Sequence, residues 1–144
     1  MRLQTATALA LHAMLELAAE PKRQLSAADL AAAHGASTHH LAKVLRRLGQ
    51  AGLVEAVRGV GGGYRFVGNA KRLTVMDVIG LFETIGAPAG GYHDGVSPAA
   101  RALGAILAEI DDHAVATFRS ITIATMLKLM RRLGDRAPEM PVNP

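Results

Sequence analysis

Apolar positions along this chain fall into blocks of helical spacing, interrupted once by a block of a different period. Leu3, Ala6, Leu9, Ala10, Ala13, Met14, Leu17 and Ala18 follow i, i+3, i+4, i+7 spacing and predict a helix over residues 3–19. Pro21 ends it, because the residue before a proline is pushed out of the α region. Ser26-Ala-Ala-Asp29 has the form of a capping box, with Asp in place of the usual Glu or Gln, and Leu25 and Leu30 stand at hydrophobic-staple spacing. Residues 27–34 therefore predict a short second helix, closed by Gly35. Ser37 or Thr38 caps a third helix with the stripe Leu41, Val44, Leu45 and Leu48, ending at Ala51-Gly52. At 53–67 the period changes. Leu53, Val54 and Val57 on one side and Tyr64, Phe66 and Val67 on the other flank Gly59, Gly61, Gly62 and Gly63, which predicts a β-hairpin with a sharp reversal.

Helical spacing then returns. Leu73-Thr74 opens a helix to about residue 84, with Thr74 as N-cap, Asp77 at N3, and Val75, Val78, Ile79 and Phe82 inside. Residues 86–97 read as a loop from their glycines and Pro88. Ser97 and Pro98 suit the N-cap and N1 positions of a long helix. Its stripe is Leu103, Ile106, Leu107, Ile110, Ala114, Phe118 and Ile121. That is more apolar surface than a small domain readily covers, and it predicts a dimer seam. The helix should break and restart at Thr122 and run to about residue 133, before a loose tail with three prolines. The expected fold is mainly α with a small β-hairpin wing: a winged helix-turn-helix plus a long C-terminal dimerisation helix. The expected division is a DNA-binding domain at 1–85, a loop at 86–97, dimerisation helices at 98–134 and a flexible tail at 135–144.

A short helix, a glycine-containing turn and a second helix form the helix-turn-helix pattern, in which the second helix offers its outer face to the major groove. With Leu41, Val44, Leu45 and Leu48 turned inward, that outer face carries His39, His40, Lys43, Arg46, Arg47 and Gln50. Ser37 and Thr38 sit where hydroxyls and free N–H groups meet phosphates. The hairpin adds Arg58 and Arg65 at its shoulders and a tip at Gly61 and Gly62 with no side chains to hold it off a groove.

Charge sharpens this picture. The net charge is +4, and residues 37–72 hold seven Lys or Arg against the single acid Glu55. A charge concentrated in this way predicts a polyanionic partner. Aromatic residues are only 3%, which gives RNA few stacking platforms. No motif pairs a nucleophile with a base, so an enzyme is not expected. There is no cysteine, which excludes disulfides, thiolate metal sites and ordinary iron–sulfur ligation. Gln4, His12 and Glu16 interrupt the first helix, so it is no membrane span, and the cytoplasm is the expected location.

Three segments carry a resemblance to a known family. They are Ala10-Leu-His-Ala-Met-Leu-Glu-Leu-Ala18, the run from Leu41-Ala-Lys-Val-Leu-Arg-Arg-Leu48 to Ala51-Gly-Leu-Val54, and Arg58-Gly-Val-Gly-Gly-Gly-Tyr64. Over residues 1–85 the chain resembles the IscR/NsrR/CymR group of bacterial winged helix-turn-helix transcriptional regulators, with Val60 where the family's wing has proline. The resemblance implies a homodimer on a two-fold-related operator, with Arg58 in the minor groove beside the wing. It also implies DNA contacts from Ser37, His39 and His40. Ala42 matches a position that some members use to discriminate bases, but it has no polar group to read with.

The sensing members of that family hold an iron–sulfur cluster on cysteines in and after the loop at 86–97, and this chain lacks them. A cluster-free regulator without a cofactor is the expectation. His12 and His93 are the remaining metal-ligand candidates, with Asp94 and Glu83 by residue type, but no HxxH or HExxH pairing supports a site. The expected function is a homodimeric, sequence-specific DNA-binding regulator, a repressor, with an unspecified protein or small-molecule effector. Two alternatives are a winged-helix protein-interaction adaptor and a regulator sensing a non-cluster metal or small molecule through helix 1 and the 86–97 loop.

Overall fold

The computed structural model describes residues 1–86 and 97–135. In chain order they form α1 (Thr5–Ala19), α2 (Ala27–His34), α3 (Thr38–Gln50), β1 (Val54–Val57), β2 (Gly63–Phe66), α4 (Val75–Ile79), α5 (Pro98–Ser120) and α6 (Ile123–Gly134). The fold is mainly helical with a two-stranded antiparallel wing, as the apolar pattern predicts. The sensor-loop position with His93 and Asp94, and the tail beyond residue 135, lie outside the described residues.

The core is built around α1, which packs against α2, α3, α4, α6 and β2. Ala10, Ala13 and Met14 of α1 are fully buried, and Leu30, Leu41, Leu45, Leu48, Val78 and Ile123 close on them. Small alanines on α1 let its neighbours approach, and the leucines fill the space between. Each fully buried leucine or valine contributes about 1.5–3 kcal/mol relative to exposure. Ile123 of α6 belongs to this same core, so the last helix returns to the first. Between α5 and α6 the chain is extended. The N–H of Val75 donates to the Ile121 carbonyl and the N–H of Ile123 donates to the Leu73 carbonyl, both at 2.8 Å.

Capping follows the sequence closely. Ser26 with Asp29, and Thr74 with Asp77, form reciprocal capping boxes, and Ser37, Ser97 and Thr122 each accept a backbone N–H from three residues on. Two boundaries differ from expectation. α1 starts at Thr5 with no side-chain cap of its own at Gln4; the Glu83 carboxylate accepts the Gln4 N–H at 2.8 Å and the Thr7 hydroxyl instead. α4 ends at Ile79, five residues earlier than the apolar spacing suggests. Past it, Leu81 and Phe82 donate to Val78 and Ile79, tighter i→i+3 bonds that turn the chain while keeping Phe82 against the core.

Candidate nucleic-acid interface

α3 is strongly two-sided. Leu41, Val44, Leu45 and Leu48 are at most 2% exposed. Thr38, His39, Lys43, Arg46, Arg47 and Gln50 are exposed on the opposite side, with His40 and Ala42 half-covered at its edge. Ser37 precedes the helix in extended conformation, and its hydroxyl accepts the His40 N–H at 3.1 Å. That bond fixes where α3 begins and therefore which residues stand at its outer end. The hydroxyl is thus engaged with its own helix, while Thr38 and His39 remain free at the surface.

The wing follows α3 by three residues. Its register sets Val54 opposite Phe66, Glu55 opposite Arg65, Ala56 opposite Tyr64 and Val57 opposite Gly63. Val54 and Phe66 are buried and hold the hairpin to the core. A third segment joins it. Leu25 exchanges two backbone hydrogen bonds with Tyr64, at 3.0 and 2.7 Å, so the stretch before α2 pairs with β2. Gly63 makes this possible, because a Cβ there would stand 2.6 Å from the Leu25 carbonyl group. The sequence points to Leu25 as a staple partner of Leu30; its pairing with the wing carries no local signal, since it joins segments about forty positions apart.

At the tip, the Gly62 N–H donates to the Gly59 carbonyl at 3.0 Å and Gly61 has φ of 74°. This is the arrangement of a type II turn, with Val60 at the position where proline is favoured. Val60 stands fully exposed.

The cations divide into two groups. Arg65 is paired with Glu55 across the strands, and the Arg47 Nε donates to the Leu81 carbonyl at 3.4 Å. Lys43, Arg46 and Arg58 make no ion pair among the described residues. Glu55 thus sets how free Arg65 is, a role that the sequence motifs do not show. A hairpin folded symmetrically about Val60 sets it opposite Arg65, so its register was the available signal. Between α3 and the wing runs a cleft lined by Ala42, Arg46, Gly49, Ala56 and Tyr64, wide because three of these side chains are absent or a single methyl.

The metal-ligand candidates among the described residues, His12 and Glu83, have separate partners. His12 stacks on His34, ring centroids 4.9 Å apart, and the Glu16 carboxylate lies 3.9 Å from His34 Nε2. Glu83 is occupied at the start of α1. Among the described residues no three His, Asp or Glu side chains converge as a metal site. With no cysteine in the sequence, these donors do not fit a thiolate-held iron–sulfur cluster. Also among the described residues, no helix is long and apolar enough to cross a membrane.

Comparison with known proteins agrees with this architecture. Residues 3–129 match the Rrf2 family, described as an iron-dependent transcriptional regulator. A Rhodopseudomonas palustris relative, provisionally named the HTH-type transcriptional regulator BadM, is 48% identical over 141 residues, covering 96% of this chain and 90% of its own. Among solved structures, CymR, the global cysteine regulator of B. subtilis, superposes with a TM-score of 0.74 at 27% identity, covering 90% of this chain and 98% of its own. IscR of T. potens shares the fold with a TM-score of 0.74 at 24% identity, covering 96% and 93%. The chain belongs to the Rrf2 family: it is a DNA-binding transcriptional regulator with a winged helix-turn-helix and not an enzyme.

Proposed function

We propose that the protein acts as a homodimeric repressor that binds a two-fold-related operator without an iron–sulfur cluster. The observation that carries this reading is the exposed polar and cationic side of α3, with Thr38, His39, Lys43 and Arg46, together with the exposed Arg58 of the wing that follows it. In this reading α3 enters the major groove with His39 and His40 nearest base edges. Ser37, Thr38, Lys43, Arg46 and Arg47 serve the phosphates, and Arg58 with Gly61 and Gly62 lies at the neighbouring minor groove. Arg65 contributes only as far as Glu55 releases it. Residues 1–85 supply DNA binding, and the helices at 98–134 supply dimerisation, chiefly through Leu103, Ile106, Leu107 and Ile110. Ala114, Phe118 and Ile121, which the chain itself half-covers, extend that seam.

The test is selection of bound fragments from genomic DNA by the purified protein, followed by titration of the selected site. Arg58→Ala should weaken binding by about 1–3 kcal/mol if the guanidinium lies in a narrow groove. Unchanged affinity in gel-shift titration removes Arg58 from the interface. A selected set that changes on adding iron would favour the alternative in which a non-cluster metal is sensed.

A further inference from the structure

The wing tip carries an apolar side chain that nothing among the described residues covers. Val60 is fully exposed, while its neighbours Gly59, Gly61 and Gly62 have no side chains. The turn beneath it is fixed by the hydrogen bond from Gly62 to Gly59 and by the backbone of Gly61. The Gly62 position is closed to any other residue, since a Cβ there would lie 2.3 Å from the Val57 carbonyl oxygen. A single isopropyl group is thus held at the apex of a narrow loop, two residues from Arg58, which has no ion pair among the described residues.

Groove dimensions say what such a tip fits. The minor groove is about 6 Å wide. Two paired strands with their side chains are wider than that, because their backbones alone are about 4.8 Å apart. Only the glycine-flanked apex is thin enough to enter, and Val60 is the side chain it would bring to the floor. There the two kinds of base pair differ by one group. A G·C pair projects the guanine 2-amino group, a donor; an A·T pair has only acceptors and, at the equivalent place, the adenine C2–H. An isopropyl group offers no acceptor. Pressed on a G·C floor it meets the amino group and strips its N–H of water without replacing the bond, whereas over A·T it meets the flat C2–H edge.

We propose that Val60 is a specificity residue of the wing, reading the minor-groove floor by apolar contact and selecting A·T over G·C pairs beneath it. This rests on the DNA-binding reading above. It assigns sequence discrimination to the tip in addition to the attraction that Arg58 provides through charge.

The experiment uses the full chain and a duplex it selects from random DNA. Each adenine in turn is replaced by 2,6-diaminopurine, which adds the 2-amino group while leaving the major-groove edge as it was. For the wild type, one or two positions in each half-site should lose about five- to tenfold in affinity. Val60→Gly should bring that loss within about twofold, and Val60→Pro, which keeps the turn and an apolar apex, should retain it. Because Val60 packs on nothing among the described residues, all three proteins should melt cooperatively, differing only by the small shift that Gly and Pro make through the unfolded chain. Equal losses for wild type and Val60→Gly would overturn the proposal, as would a loss abolished by Arg58→Ala but untouched by Val60→Gly. No diaminopurine effect at any position would also overturn it. A wild type that selects no common sequence fails earlier and refutes the DNA-binding reading itself.

Discussion

Ser37, Glu55 and Asp29 show how single polar groups here choose between holding the fold and meeting a ligand. Ser37 accepts the His40 N–H, so its first duty is to start α3. Ser37→Ala should lower stability by about 0.5–2 kcal/mol in urea unfolding, the usual cost of losing an N-cap, whether or not DNA is present. Glu55 neutralises Arg65 on the wing. Glu55→Gln removes the only acid between residues 37 and 72. DNA titrated against salt should then show tighter binding and a slope steeper by about one counterion; an unchanged slope would mean that Arg65 faces away from phosphate. At Asp29, hydrogen bonds from the Ser26 hydroxyl and backbone N–H, with the Arg23 charge nearby, hold the carboxyl below its ordinary pKa. A carboxyl depressed in the folded state stabilises the fold above its unfolded pKa and loses that contribution as pH falls through its folded one. Asp29→Asn should therefore be less stable than wild type at neutral pH. In thermal melts the difference should shrink below about pH 4.

At the scale of elements, the parts legible in the sequence are those governed by near neighbours. Ser26, Ser37, Thr74 and Thr122 lie within three residues of the N–H groups they cap, and the stripe of α3 repeats within one helix, so spacing alone locates them. The candidate face of α3 follows directly, since a buried Leu41, Val44, Leu45 and Leu48 leaves only one side for the cations. What the sequence concealed are bonds across long separations. The Leu25–Tyr64 pairing, the Glu83 carboxylate at the start of α1, and the Arg47–Leu81 contact each join residues that no local pattern relates. Two of them share a location. Leu81 and Glu83 lie just ahead of residues 87–96, so the segment entering that loop position touches both the first helix and the third. α4 was shortened for a related reason: after Gly80, tighter turns bring Phe82 inward and Glu83 toward α1.

For the whole molecule, the proposed dimer rests on α5. It packs mainly on α4, and Gly104 is its one buried residue. Leu103, Ile106 and Ile110 are each more than half exposed, at 57%, 59% and 56%. A row of this kind on one face is the candidate contact surface of the proposed dimer. The double variant Ile106→Glu, Ile110→Glu should sediment as a monomer at micromolar concentration where the wild type sediments as a dimer. The core around α1 should still melt cooperatively, since neither side chain is part of it. A variant that remains dimeric would place the seam elsewhere. DNA affinity should fall with dimerisation, because two half-sites held by one particle bind far better than either alone.

The two hydrogen bonds between Leu25 and Tyr64 bear on how fast the protein can search DNA. A hairpin whose tip-side half was loose would have to be ordered at each encounter, at about 1–2 kcal/mol for every residue fixed. Here that cost is met once, during folding, because the wing is stitched to the segment that leads into α2. Sliding and hopping along non-specific DNA then proceed with the tip already in shape. The pace of the search is left to charge and ionic strength, with no folding step to wait for.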